Sequence, residues 1–149
     1  MQLRFAIEGN IELSRVFNAL ANNVVDWSGA FKLTSDYLIQ TFSNDVFETE
    51  GAAIDEYWTP LSPAYAKAKA KKYGDIGILQ KTGLMRSSFK PIFDSTSLEI
   101  WNTQEYFKYH QSKLPRTKIP RRMMMKLTSD MRANIVRIFQ AQLSERIEA

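Results

Sequence analysis

Cysteine is absent from this chain, which removes disulfides, thiolate metal sites and cysteine nucleophiles together. Histidine occurs once, at His110. A metal site there would need carboxylates alone to complete it, and the acidic spacing offers no such set. Serines are plentiful, yet none lies in a nucleophile-elbow sequence that could partner His110 in a triad. The six glycines form no phosphate-cradling loop. The adjacent carboxylates Asp55 and Glu56 point apart on either a helix or a strand. These absences predict a protein that is not an enzyme, with no catalytic, cofactor-binding or metal residues. No apolar run approaches the roughly 20 residues of a membrane helix, and the N-terminus lacks the basic start and apolar run of a signal peptide. The expectation is a soluble protein made in a cytoplasm, without a membrane partner.

What is present amounts to one ordinary domain. At 149 residues and 44% hydrophobic composition, the chain can bury roughly two-thirds of its unfolded surface. Its net charge of +4 conceals a polarity along the sequence. Residues 1–60 carry three basic side chains against nine acidic, a net of −6; residues 61–149 carry seventeen against seven, a net of +10. Such polarity suits nucleic-acid contact by the basic part, and equally head-to-tail contact in which an acidic face of one copy meets a basic face of the next.

Leu3, Phe5 and Ile7 alternate with polar or small neighbours and predict a short half-buried strand over residues 3–7. After Gly9 and Asn10, the series Leu13, Val16, Phe17, Leu20 and Val24 has the spacing of an amphipathic helix. Asp26 is placed to cap a second helix, with Phe31, Leu38, Phe42 and Val46 along one side and Gly51 as its left-handed stop. An irregular connection over residues 57–61 leads to Ser62 and Pro63, a good N-cap followed by a proline suited to the first helical position. The run AYAKAKAKKYG is then strongly helix-forming and should end at Gly74, as a largely solvated helix whose lysines are spread around the cylinder.

Residues 78–88, reading ILQKTGLMRSS, hold a Thr-Gly step between apolar residues. We read this stretch as a structural joint: Leu79 and Leu84 anchor it in the core, Gly83 lets the backbone turn or approach closely, and Thr82 caps a short helix. Residues 89–93 and 98–102 are two short strands joined by a polar turn at residues 94–97, a β-hairpin. Tyr106, Phe107, Tyr109 and His110 follow at helical spacing. The closing helix has the clearest periodicity, with Leu127, Met131, Ile135, Ile138 or Phe139, Leu143 and Ile147, a cap at Thr128 or Ser129, and an apolar stripe expected to pack on the sheet.

Between Tyr106 and Ser129 stand Lys108, Lys113, Arg116, Lys118, Arg121, Arg122 and Lys126, with no acidic residue among them. Pro115 and Pro120 interrupt the run, so it reads as an extended arm reaching outward. Each cation could meet a DNA phosphate or the acidic face of a neighbouring copy. The triplet Met123, Met124 and Met125 beside it suits either an adaptable interface or the entrance to the last helix.

In order along the chain, Trp58-Thr59-Pro60-Leu61-Ser62, the Lys-rich helix, Leu79-Gln80-Lys81-Thr82-Gly83-Leu84-Met85-Arg86-Ser87-Ser88, the strand pair, Tyr106 with His110-Gln111, Ile119-Pro120-Arg121 and the closing helix resemble the phage virion morphogenesis family. That family comprises the tail-completion proteins of P2-like phages and the G-like proteins of Mu-like phages and prophages. The likeness covers about residues 57–148. The chain departs from it after His110-Gln111, where Ser112-Lys113-Leu114-Pro115 replaces a glycine-containing turn, and after Pro120, where Arg121-Arg122 and methionines stand in place of a small residue, Arg and an aromatic. The resemblance implies a structural protein of the virion head-tail neck, assembled in the host cytoplasm as a ring of about six copies. Its partners would be itself, tail-tube or tail-terminator proteins and head-side connector proteins, with non-specific contact to DNA in the channel.

The expected fold is α+β in one domain: a small, mostly antiparallel sheet packed by the N-terminal and C-terminal amphipathic helices. It divides into an N-terminal strand and helical region (residues 1–56), a motif-bearing core (57–111), the basic arm (112–126) and the C-terminal helix (127–148). The alternative function is a basic DNA-binding module contacting duplex through residues 108–126.

Overall fold

The computed structural model describes residues 2–6, 26–112 and 120–148. The expected amphipathic helix over residues 13–24 lies outside these, as do Ile7 and the arm cations Lys113, Arg116 and Lys118. The fold is α+β. Three antiparallel strands form a sheet in the order β1-β3-β2, with β1 at Gln2–Ala6, β2 at Phe89–Phe93 and β3 at Ser97–Asn102. Leu3 lies opposite Ile100, and Pro91 lies opposite the same residue from the other side. Pro91 lacks an N–H to donate, and its strand is accordingly at the edge. The hairpin turn closes on Asp94, whose Oδ1 accepts the N–H groups of Thr96 at 2.7 Å and Ser97 at 2.8 Å. An Asx turn of this kind needs no glycine.

Helix α1 (Ser28–Gln40) runs on without a break through one π-helical turn, Thr41–Asp45, and a last α turn, Val46–Glu48. Phe31, Leu38, Phe42 and Val46 form its buried side, as the spacing predicts. Trp27 takes the N-cap position, while Asp26 accepts the Ser28 N–H at 2.9 Å. The stop is a Schellman arrangement: Gly51 N–H donates to Val46 O at 2.8 Å and Glu50 N–H to Phe47 O at 3.4 Å. Glu50 therefore holds the left-handed position expected of Gly51, and Gly51 follows it with φ +89°. A methyl group on Gly51 would lie 1.8 Å from Glu56 O and 2.6 Å from Trp58 Cδ1, so glycine is required there by close approach as well.

Helix α2 (Pro63–Tyr73) has Ser62 as N-cap, its hydroxyl accepting the Tyr65 N–H, and ends at Gly74. It is solvated apart from Lys69, which is buried. The short α3 (Leu84–Ser87) and α4 (Phe107–Gln111) flank the hairpin, and α5 (Ser129–Glu148) closes the chain with its first turn capped by Thr128 Oγ1.

Two expectations about packing are corrected. Helix α1, not the last helix, lies closest over β2 and β3, and α5 lies against α1. Phe139 of α5 meets Phe31 edge-on at 5.1 Å and Trp27 at 5.4 Å, and the Trp27 N–H donates to Ser95 O in the hairpin turn. An apolar stripe specifies that a face is buried, not against which element. Nor does the second half of the arm reach outward. Residues 120–128, without regular secondary structure, run back into the interior: Met124 and Met125 are core residues and Arg122 is buried. The Gln111 amide holds them, its Oε1 accepting the Met124 and Met125 N–H groups at 2.8 and 3.1 Å and its Nε2 donating to Met125 O at 2.7 Å. Apolar methionines gain more from burial than the flanking cations lose, provided those cations find acceptors.

Candidate functional site

Residues 78–88 are a junction in space as well as in sequence. Arg86 spans it, donating from Nη1 to Gln80 Oε1 at 2.9 Å and from Nη2 to Asn44 Oδ1 at 3.0 Å in the π turn, with Glu48 Oε1 at 3.2 Å. On the hairpin side, buried Asn102 donates to Met85 O at 2.7 Å, Thr103 N–H to Ser88 O at 3.0 Å, and Gln104 to Ser88 Oγ at 3.0 Å. The Ser88 hydroxyl in turn donates to Leu84 O. On the α2 side, Lys69 Nζ donates to Gly77 O at 2.8 Å. The stretch thus ties α1, α2 and the hairpin together.

The residues that perform this differ in part from those the sequence pointed to. Thr82 Oγ1 does accept the Leu84 N–H at 3.3 Å, and Gly83 takes φ +72° at the N-cap of α3. No atom lies within 4 Å of a Cβ placed on Gly83, so its role is the turn and not close approach. The core anchors are Ile78 and Met85. Leu84, expected in the core, is 50% exposed, and Leu79 is half-buried with φ +61°. Leu79 still packs against the edge of the core, whereas Leu84, which follows the left-handed Gly83, turns outward and leaves the core position to Met85.

Leu79 and Leu84 instead line a groove of about 510 Å³ between α2, the junction and α4. Its wall is apolar, with Leu61, Ile78 and Met85 added to those two, and Tyr65 and Tyr106 stand exposed at its rim. Lys69, Lys81 and Arg122 face the same space. Lys81 Nζ sits over the Tyr73 ring, 4.6 Å from its centroid. Lys69 is 8% exposed and Arg122 6%. The Arg122 guanidinium donates from Nε and Nη2 to Thr59 O at 2.9 and 2.7 Å. Burial, and then the Arg122 charge, lower the Lys69 pKa, with Glu50 opposing; burial likewise lowers that of Arg122.

The four arm cations among the described residues do not form one patch. Lys108 and Arg121 are exposed; Arg122 is buried on Thr59 O; Lys126 pairs with Glu56 at 2.9 Å. Sequence reasoning missed Lys69, Gln111 and Arg122 as buried polar residues. The one clue was the apolar triplet Met123, Met124 and Met125 beside Arg122, which draws its neighbours towards the interior. Among the described residues, no group of three or more His, Asp or Glu side chains is placed to hold a metal ion, and no helix is long and apolar enough to cross a membrane. Compared with known proteins, the chain matches no family model, no curated protein and no solved structure.

Proposed function

We propose that this chain is a structural subunit of a phage head-tail neck, acting in tail completion as one copy of a homo-oligomeric ring, and that it is not an enzyme. The observation that carries the reading is the way the segments of the ordered sequence series depend on one another. Trp58 Nε1 donates to Met123 O at 2.8 Å, Arg122 holds Thr59 O, and Gln111 holds Met124 and Met125. Trp58-Thr59, His110-Gln111 and the segment after Pro120 are thereby one folding unit, which explains why these parts of the series would occur together and in order. A ring of identical copies uses heterologous interfaces, and exposed Asp45, Glu50 and Asp55 in the acidic part have the exposed lysines of α2 as complements on a neighbour. The DNA-binding alternative loses two of its seven cations to internal partners, Arg122 and Lys126.

The test is electron microscopy of tails assembled with and without the purified chain. A ring of density at the head-proximal end of the tail tube, present only with the chain, is the expected result. Tight duplex binding by a monomer with no affinity for tails would overturn the reading.

A further inference from the structure

Lys69 and Arg122 are two cations buried side by side at the inner end of the groove. Among the described residues, ion pairs join Lys32 to Asp36, Arg86 to Glu48 and Lys126 to Glu56, and none reaches Lys69 or Arg122. Their hydrogen bonds go to neutral carbonyls, Gly77 O and Thr59 O. Glu50 acts on both only from beyond ion-pair distance, and no carboxylate stands among the residues that line the groove. Buried charge so weakly compensated is unfavourable, and an arginine cannot relieve it by losing its proton. The arrangement is therefore poised for an anion brought by something else.

The rest of the groove defines what carries that anion. Leu79 is held at φ +61°, a conformation that a residue with a side chain adopts only under strain, and it lines the groove. Leu84 and Tyr65, 50% and 55% exposed, keep apolar surface in water beside it. A phosphate backbone would gain nothing from such walls, whereas an apolar side chain next to a carboxylate would gain from both parts. We propose that the groove between α2, residues 78–85 and α4 is a docking site for an extended segment of a partner protein that carries a carboxylate beside an apolar side chain. The carboxylate meets Lys69 and Arg122, Lys81 guards the outer end, and the apolar side chain lies between Leu79, Leu84 and Tyr65. This proposal does not rest on the neck reading.

The experiment is a display selection of a random dodecapeptide library on the immobilised full chain, followed by affinity measurement of the enriched peptides. Three variants probe the groove: Leu84→Glu and Lys81→Glu at exposed positions, and Leu79→Gly, which removes a wall at the edge of the core while relieving the backbone. The expected result is enriched peptides sharing an acidic residue near an apolar one. Each variant should weaken them by about tenfold or more, as should replacing their acidic residue by its amide. Circular dichroism of each variant separates lost binding from lost fold. Enrichment indifferent to the three variants, enriched peptides without a carboxylate, or no enrichment at all would overturn the proposal. So would duplex DNA binding, or self-association, that the same variants abolish while peptides fail to bind; the groove would then belong to nucleic acid or to a second copy. Rings on tails with no peptide docking would sink this proposal alone, and docking without tail binding would sink only the neck reading.

Discussion

Two glycines with similar backbone angles have different physical roles, and substitution separates them. At Gly51 an added methyl would collide with Glu56 O and the Trp58 ring, so Gly51→Ala combines left-handed strain with overpacking and should destabilise by about 3 kcal/mol or more. At Gly83 an added methyl meets nothing, so Gly83→Ala should cost about 1–2 kcal/mol from conformation alone. Chemical denaturation of the two variants checks the order; equal losses would mean that the close approach at Gly51 is absorbed elsewhere. Gln111 offers a second contrast. Gln111→Met keeps volume but leaves the Met124 and Met125 N–H groups and Met125 O without their partner in the interior. The expected loss is roughly 3 kcal/mol or more, well above that of an exposed glutamine such as Gln40 changed in the same way. Near-equal denaturation midpoints for the two variants would remove Gln111 as the clamp of the returning segment.

Among the elements, the hairpin turn has a pH signature. The N–H of Thr96, then that of Ser97, then the Thr96 hydroxyl hold the Asp94 carboxyl below the usual carboxylate range. A carboxyl with a depressed value in the folded state adds stability that is fully present above its unfolded value. That contribution is lost as pH falls through the lower folded value. Asp94→Asn should therefore flatten the acid limb of the stability curve while keeping much of the turn, and Asp94→Ala should lower the melting temperature at neutral pH as well. An acid limb unchanged in Asp94→Asn would show that other carboxylates govern it. The turn was legible beforehand because its hydrogen bonds span two or three residues. The same holds for Ser62 and Pro63 at the start of α2, Gly74 at its end, and Thr128 before α5. The π turn at Thr41–Asp45 had no such mark. It places Asn44 where Arg86, 42 residues on, reaches it, and periodicity within one segment carries no information about a partner so distant.

For the molecule as a whole, the polarity between residues 1–60 and 61–149 is partly consumed internally, since Glu48 pairs with Arg86 and Glu56 with Lys126. What remains exposed sets the expectation for assembly. If copies join through complementary charge, self-association measured by light scattering should weaken as salt rises from about 0.05 to 0.5 M, where screening shortens from beyond 10 Å to a few Å. Association that strengthens with salt would point to an apolar interface instead. The net −6 and +10 were readable by counting; which charges face each other inside one copy was not.

The residues alone determined the kinds of element and most of their bounds, the hairpin, the caps and the periodic last helix, because each depends on neighbours a few positions away. The tertiary structure decided which members of each segment are inside: Met85 rather than Leu84, Arg122 and Lys69 among many cations, and α5 against α1 rather than on the sheet. A polar side chain can be buried only when its acceptor is in place, and the acceptor of Arg122 is 63 residues away at Thr59. That pairing, and with it the charged end of the groove, exists only once the chain has folded.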